Sequence, residues 1–124
     1  MSEEKLTLKE MCAKFDVTPR TLRYYEYIEL LFPEKQGRTR YYGAQEFVRM
    51  KYILRGRRFG FSLEEIRQWL EIYEKQGVKE QLTTWVEASG AQIKELVSRL
   101  VQLQETIDDL RELRQQAIED LEKS

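Results

Sequence analysis

The chain has 124 residues, 41% of them hydrophobic, with one cysteine and no histidine. That inventory excludes a His-based catalytic or metal site and, within one chain, a disulfide or a thiolate cluster. The net charge of −1 hides an asymmetry: Lys5 to Ser62 carries 13 Lys and Arg against six acids, and Leu63 to Ser124 carries eight against 14, so a basic half suited to a polyanion precedes an acidic half suited to a protein partner.

No uncharged apolar run approaches the roughly 20 residues needed to span a bilayer. The acidic, polar start MSEEKLTLKE is unlike a secretory signal. A lone cysteine fits a reducing, cytoplasmic setting. The sequence has no glycine-rich phosphate loop and no paired-acid constellation. No enzymatic activity, catalytic residue, cofactor or metal is therefore expected, and no membrane association.

Thr7-Leu-Lys-Glu10 is a capping box that starts a first helix. Leu8, Met11, Cys12 and Phe15 follow at i, i+3, i+4 and i+7, one face toward a core. On that face Cys12 is a small buried hydrophobe. After a short turn at Asp16-Val17, Thr18-Pro19 reads as an N-cap with proline at the first helical position. The second helix runs from about Pro19 to Tyr27. Leu22 and Tyr25 or Glu26 point inward; Arg20, Thr21, Arg23 and Tyr24 point largely the other way. Two short helices joined by a tight turn make a helix-turn-helix, with the second as the recognition helix.

Leu30-Leu31-Phe32-Pro33 leaves the helix extended, because proline disfavours helical angles in the residue before it. Glu34 to Arg38 is expected as a polar turn around Gly37. Arg40-Tyr41-Tyr42 has strand composition. Together these predict a small β-hairpin, a wing with basic residues near its tip. A third helix is expected from about Ala44 to Phe59, ended by Gly60. Ser62-Leu-Glu-Glu65 is a second capping box, opening a helix with Leu63, Ile66, Leu70 and Tyr73 in register, up to a break near Gly77.

From about Val78 to Glu122 there is no proline and one glycine, Gly90. Val86, Ile93, Leu96, Leu100, Leu103, Ile107, Leu110, Ala117 and Leu121 recur at alternating spacings of three and four, with Arg114 interrupting. That is a coiled-coil seam on a helix that reaches on the order of 65 Å. A lone helix cannot hide such a stripe from water, so a partner is required. The expected fold is all-α with a small β-wing: a winged helix-turn-helix domain over 1–76 and a dimerisation helix over 77–124.

The string Phe15-Asp-Val-Thr-Pro-Arg-Thr-Leu-Arg-Tyr-Tyr-Glu26 resembles the recognition segment of MerR-type transcriptional regulators. Leu30-Leu31 with Pro33 is similar to that family's entry to the wing, and Arg40-Tyr41-Tyr42 to its return strand. Arg58-Phe-Gly-Phe-Ser-Leu-Glu-Glu-Ile66 is similar to its junction motif. The resemblance covers about Leu6 to Leu70, and the helical tail matches in architecture. Within the family, Ile53 to Arg57 and Gly60 to Ile66 are similar to regulators of branched-chain and acyl-CoA catabolism. The resemblance implies a homodimer through antiparallel pairing of the long helices. It also implies an inverted-repeat operator in promoter DNA that is bent and untwisted so that RNA polymerase can engage both promoter elements.

Three departures stand out. Glu29 occupies a position where glycine is usual. Glu46-Phe47 replaces the common Asp-Val. The tail lacks the cysteines of metal- and redox-sensing members, and it is too short for a separate ligand-binding domain. An effector, if one acts, is expected to be a small organic molecule.

DNA contact is expected from Arg23 and Tyr24, which can reach a base edge or a phosphate, and from Thr18, Arg20 and Thr21 at the helix start. On the wing, Arg38, Arg40 and Tyr42 suit the DNA backbone. In the run Arg55-Gly-Arg-Arg58 one arginine is expected on phosphate; Arg57 is the candidate, with Arg55 and Arg58 left open. Trp69, Tyr73 and Trp85 flank the junction of head and tail, where packing is the plain reading and an organic-ligand pocket the other. An architectural DNA-bending protein of excisionase type, or a coiled-coil adaptor, would share several of these features.

Overall fold

The computed structural model describes residues 4–124; the first three positions of the expected head lie outside the described residues. The elements are β1 (Leu6–Thr7), α1 (Leu8–Phe15), α2 (Pro19–Tyr27), β2 (Glu34–Gln36), β3 (Thr39–Tyr42), α3 (Ala44–Phe59), α4 (Leu63–Gln76) and α5 (Val78–Lys123). The chain divides into two compact units, the first ending at Thr83 and the second spanning Thr84–Ser124.

In the first unit the helix starts follow from local hydroxyl chemistry. Thr7 Oγ1 accepts from the Glu10 amide at 3.3 Å while Glu10 Oε1 accepts from the Thr7 amide at 2.9 Å. Ser62 and Glu65 repeat the reciprocal pair, both at 3.1 Å. Thr18 Oγ1 accepts from the Thr21 amide at 3.1 Å, with Pro19 opening the helix behind it. Each cap satisfies amides that a helix end otherwise leaves bare. α3 closes on Gly60 in the left-handed region, φ 97°, where only glycine is unstrained.

The sheet order is β1-β3-β2, all antiparallel, with Leu6 opposite Tyr42 and Lys35 opposite Arg40. The hairpin differs from the sequence expectation. Glu34–Gln36 is a strand, and the turn shrinks to Gly37-Arg38. A two-residue hairpin loop needs a positive φ at its first position, and Gly37 supplies it at φ 63°. Leu30 and Leu31, expected in the hairpin arm, are instead fully buried. β1 adds a third strand that hydrophobic periodicity does not announce.

The core brings together Met11 from α1, Leu22 and Tyr25 from α2, Leu30 and Leu31, Tyr42 from β3, Met50 and Ile53 from α3, and Ile66 and Leu70 from α4. α1 packs on α2 and β3, and α3 on β3 and α4. Gly56 lies so close to Ile66 that a Cβ there would meet its Cδ1 at 2.8 Å, so that glycine sets the α3–α4 approach. Trp69 Nε1 donates to the Gln81 carbonyl at 3.1 Å and Gln81 Nε2 donates to the Trp69 carbonyl at 3.3 Å. This exchange holds the first turn of α5 within the head unit, so the compact head extends past Gln76 to Thr83.

In the second unit α5 is a continuous helix with none of its residues buried. Val86, Ile93, Leu96, Leu100, Leu103, Ile107, Leu110 and Leu121 are all exposed in the single chain, as are Val97, Val101 and Leu113.

Candidate nucleic-acid interface

α2 has two faces. Leu22 and Tyr25 are buried in the core. Arg20, Arg23, Tyr24 and Tyr27 lie on solvent, with Tyr24 50% and Tyr27 83% exposed. The helix start is held by Thr18, whose hydroxyl lies 2.9 Å from that of Thr21. Thr18 is exposed and Thr21 half-buried, so Thr18 offers the more open hydroxyl. Free amides at such a start also favour anions.

The wing is tied to this helix. Arg40 Nε donates to Glu26 Oε2 at 2.7 Å, and Lys35 Nζ lies 3.1 Å from Glu26 Oε1. Burial pulls the Glu26 carboxyl upward, but the hydrogen bonds and charges of Lys35 and Arg40 outweigh it and hold the group below the usual carboxylate range. Arg38 lies in the two-residue turn at the wing tip and is exposed. Arg40 is half-buried, with its Nε committed to Glu26.

Tyr42 requires a correction. Expected on the wing surface, it is fully buried, and its hydroxyl has no hydrogen-bond partner among the described residues. Burial first, and the nearby Glu26 charge second, push its ionisation up to about 12. The cause is strand register. Pairing with Leu6 of β1 closes that end of β3 and turns Tyr42 into the core, so it does not reach DNA in this fold.

Arg57 is exposed at the end of α3, with Nη1 3.4 Å from the Phe61 carbonyl. Arg55 and Arg58 are exposed as well. Cys12 is half-buried on the inner side of α1, and burial raises its thiol, opposed by the Arg23 charge. A raised thiol is protonated and unreactive.

Sequence reasoning missed a buried polar cluster behind the interface. Arg49 Nε donates to the Leu30 carbonyl at 2.7 Å, and Nη1 donates to Glu74 Oε1 at 3.2 Å. Its guanidinium stacks 5.3 Å from the Phe32 ring centre. Glu46 Oε2 accepts from the Phe32 amide at 3.4 Å. Burial raises the Glu46 carboxyl, opposed by that amide and by Arg49. The available signal was Glu46 and Arg49 three apart on an otherwise core-facing stretch. Glu26 carried a clearer one, as the only acid in α2 beside a basic wing.

Among the described residues no three His, Cys, Asp or Glu side chains gather as a metal site, and no helix is long and apolar enough to cross a membrane.

An exposed arginine–tyrosine helix face braced by a wing is the geometry of a DNA reader, and comparison with known proteins agrees. Residues 6–72 match the MerR HTH family regulatory protein model, and residues 47–113 match the model described as MerR, DNA binding. The chain belongs to the MerR family. This MerR-family chain is 30% identical over 111 residues to the HTH-type transcriptional regulator HmrR of Rhizobium leguminosarum bv. viciae, covering 88% of this chain and 78% of that one. It is 32% identical over 105 residues to the HTH-type transcriptional regulator ZntR of Escherichia coli, covering 76% and 74%. The fold is that of HiNmlR, a MerR family regulator lacking the sensor domain and solved on promoter DNA, with a TM-score of 0.63 at 18% identity over 85% of this chain and 80% of that one. A Listeria monocytogenes protein assigned to the same family aligns with a TM-score of 0.63 at 30% identity, over 85% and 80%. The chain is thus a DNA-binding transcriptional regulator.

Proposed function

We propose that this regulator binds an inverted-repeat promoter operator as a homodimer, reading each half-site with α2 and bracing the flanking backbone with the wing tip. The observation that carries the reading is the outward face of α2, where Arg20, Arg23 and Tyr24 stay exposed while Leu22 and Tyr25 anchor the helix in the core. Arg38 extends the contact along the backbone, and Arg57, Arg55 or Arg58 adds a phosphate contact.

The second copy pairs through α5, antiparallel, because Val86 through Leu121 present an apolar stripe with no cover in the single chain. Two recognition helices on one twofold axis meet two half-sites. Transcription is then controlled by distorting the DNA between them, which changes how RNA polymerase engages the promoter. Such a regulator works on cytoplasmic DNA and carries no catalysis.

If an effector tips the equilibrium it is a small organic molecule, since one cysteine and no histidine supply few ligands for soft or borderline metals. Trp69 is an unpromising wall for its pocket: it packs against the core, edge-on to Tyr52 at 5.1 Å, with its indole N–H committed to Gln81.

The test is Arg23→Ala. The variant keeps the dimer and loses about 1–3 kcal/mol of operator affinity, while affinity for random DNA falls little. Wild-type preference for operator over random DNA in the variant would remove Arg23 as a reader.

A further inference from the structure

We propose that Arg49 is a positioning residue that couples α4 to the exit of the recognition helix, so that the placement of α4 governs how α2 is presented to DNA. The inference rests on the DNA-binding reading above and adds a residue that never touches DNA.

The exit of α2 is an unusual piece of backbone. Glu29 sits in the left-handed region at φ 64°, and the Leu30 and Leu31 amides both donate back to the Tyr25 carbonyl at 2.8 and 3.2 Å. A turn strained in this way persists only where its surroundings hold it. Arg49 is the holder. It is 6% exposed, its Nε donates to the Leu30 carbonyl, and its guanidinium covers Phe32. Glu46, equally buried and one turn earlier on α3, accepts from the Phe32 amide. The turn is thereby gripped from both its carbonyl and its amide side.

The second arm of Arg49 goes elsewhere, to Glu74 near the end of α4. The two arms differ in strength. The Leu30 bond is short and buried. The Glu74 carboxylate is 49% exposed, so water and salt screen that pair and make it the link that breaks first. One buried guanidinium therefore joins the turn that ends the recognition helix to the last turns of α4 through a firm contact and a yielding one. A shift of α4 reaches Leu30 through Arg49 without any intermediate residue.

The test uses Glu74→Gln, which keeps a polar group at an exposed position, with Arg49→Lys and the double variant. The probes are a duplex selected from a random pool by the wild-type protein and its scrambled counterpart. Glu74→Gln is expected to keep the wild-type melting temperature and salt slope, since no phosphate contact is lost. Its preference for the selected duplex should fall about fivefold, the size of a coupling within one hydrogen-bond network, and the Leu30 and Leu31 amides should exchange faster. Arg49→Lys, which loses the fork, should show the same loss, with none added in the double variant. A purely structural role would lower the melting temperature and leave the preference alone. Wild-type preference and amide exchange in Glu74→Gln would overturn the proposal, as would additive losses in the double variant. A wild-type protein that enriches no duplex would defeat the DNA-binding reading and this inference with it.

Discussion

Arg40 on the wing and Glu26 on α2 are joined by a 2.7 Å hydrogen bond that ties the wing to the helix. Lys35 approaches the same carboxylate from the neighbouring strand. The arrangement has a cost in charge: two of the wing's cations are partly neutralised before DNA arrives.

Glu26→Gln should therefore act in two directions. Stability falls by about 1–2 kcal/mol, the usual worth of a charge-assisted hydrogen bond at a partly screened site. Affinity for random DNA rises and its salt dependence steepens, because Arg40 and Lys35 are released toward phosphate. The pH dependence has a definite sign. The folded-state carboxyl is held below its ordinary value near 4.5, so the stabilisation is fully present above that value and is lost as pH falls through the lower folded one. Thermal melts of both proteins should diverge near neutrality and converge in acid. A gap that widens in acid would refute the clamp.

Tyr42→Phe tests the correction on the wing. The hydroxyl is buried and unpartnered among the described residues, and an unsatisfied buried polar group costs about 1–3 kcal/mol. The variant should melt higher than wild type and bind DNA with unchanged affinity and salt slope. A loss of affinity would mean that Tyr42 reaches phosphate after all.

Glu29→Gly should also stabilise. A non-glycine residue in the left-handed region costs roughly 1–2 kcal/mol, against which the added freedom of glycine in the unfolded chain sets about 0.5–1 kcal/mol. The backbone at φ 64° has the left-handed conformation that glycine takes without strain. Denaturant melts should show a small gain. A loss would mean that the Glu29 side chain has a role the turn depends on.

Glu26 and Tyr42 mark where sequence reading stops. Helix boundaries were legible because Thr7, Thr18-Pro19 and Ser62 write their caps within three residues, and local spacing is what a sequence displays directly. Helical period alone puts Cys12 on an inner face, and it packs against the core; the same period left Tyr25 or Glu26 open on α2, where Tyr25 is the buried one. Tyr42 was not, since three consecutive strand-forming residues do not say which alternate ones face inward. Its orientation is decided by β1, a two-residue strand more than 30 positions away. The Glu26–Arg40, Arg49–Leu30 and Arg49–Glu74 contacts span 14, 19 and 25 residues, beyond any local pattern.

The last prediction concerns the tail. Leu103 lies mid-way along the apolar stripe of α5 and is 58% exposed in the single chain. Isolated helices owe little stability to propensity and most of it to packing on one face, so a helix of 46 residues without a buried position needs a partner along that face. If the partner is a second copy, Leu103 becomes a buried knob, and Leu103→Asp places an unpaired carboxylate in an apolar seam. Burial of such a charge is prohibitive without compensation, and relief comes from dissociation. Sedimentation should show a monomer at low micromolar concentration, with the helical signal of α5 reduced. Operator affinity should collapse, because two half-sites no longer bind as one unit, while a single head keeps weak, salt-sensitive binding. Gln104→Asp, at the neighbouring position, supplies the control for added charge alone. A Leu103→Asp protein that remains dimeric and binds operator like wild type would show that the seam runs along another face, with Val97, Val101 and Leu113 as its next candidates.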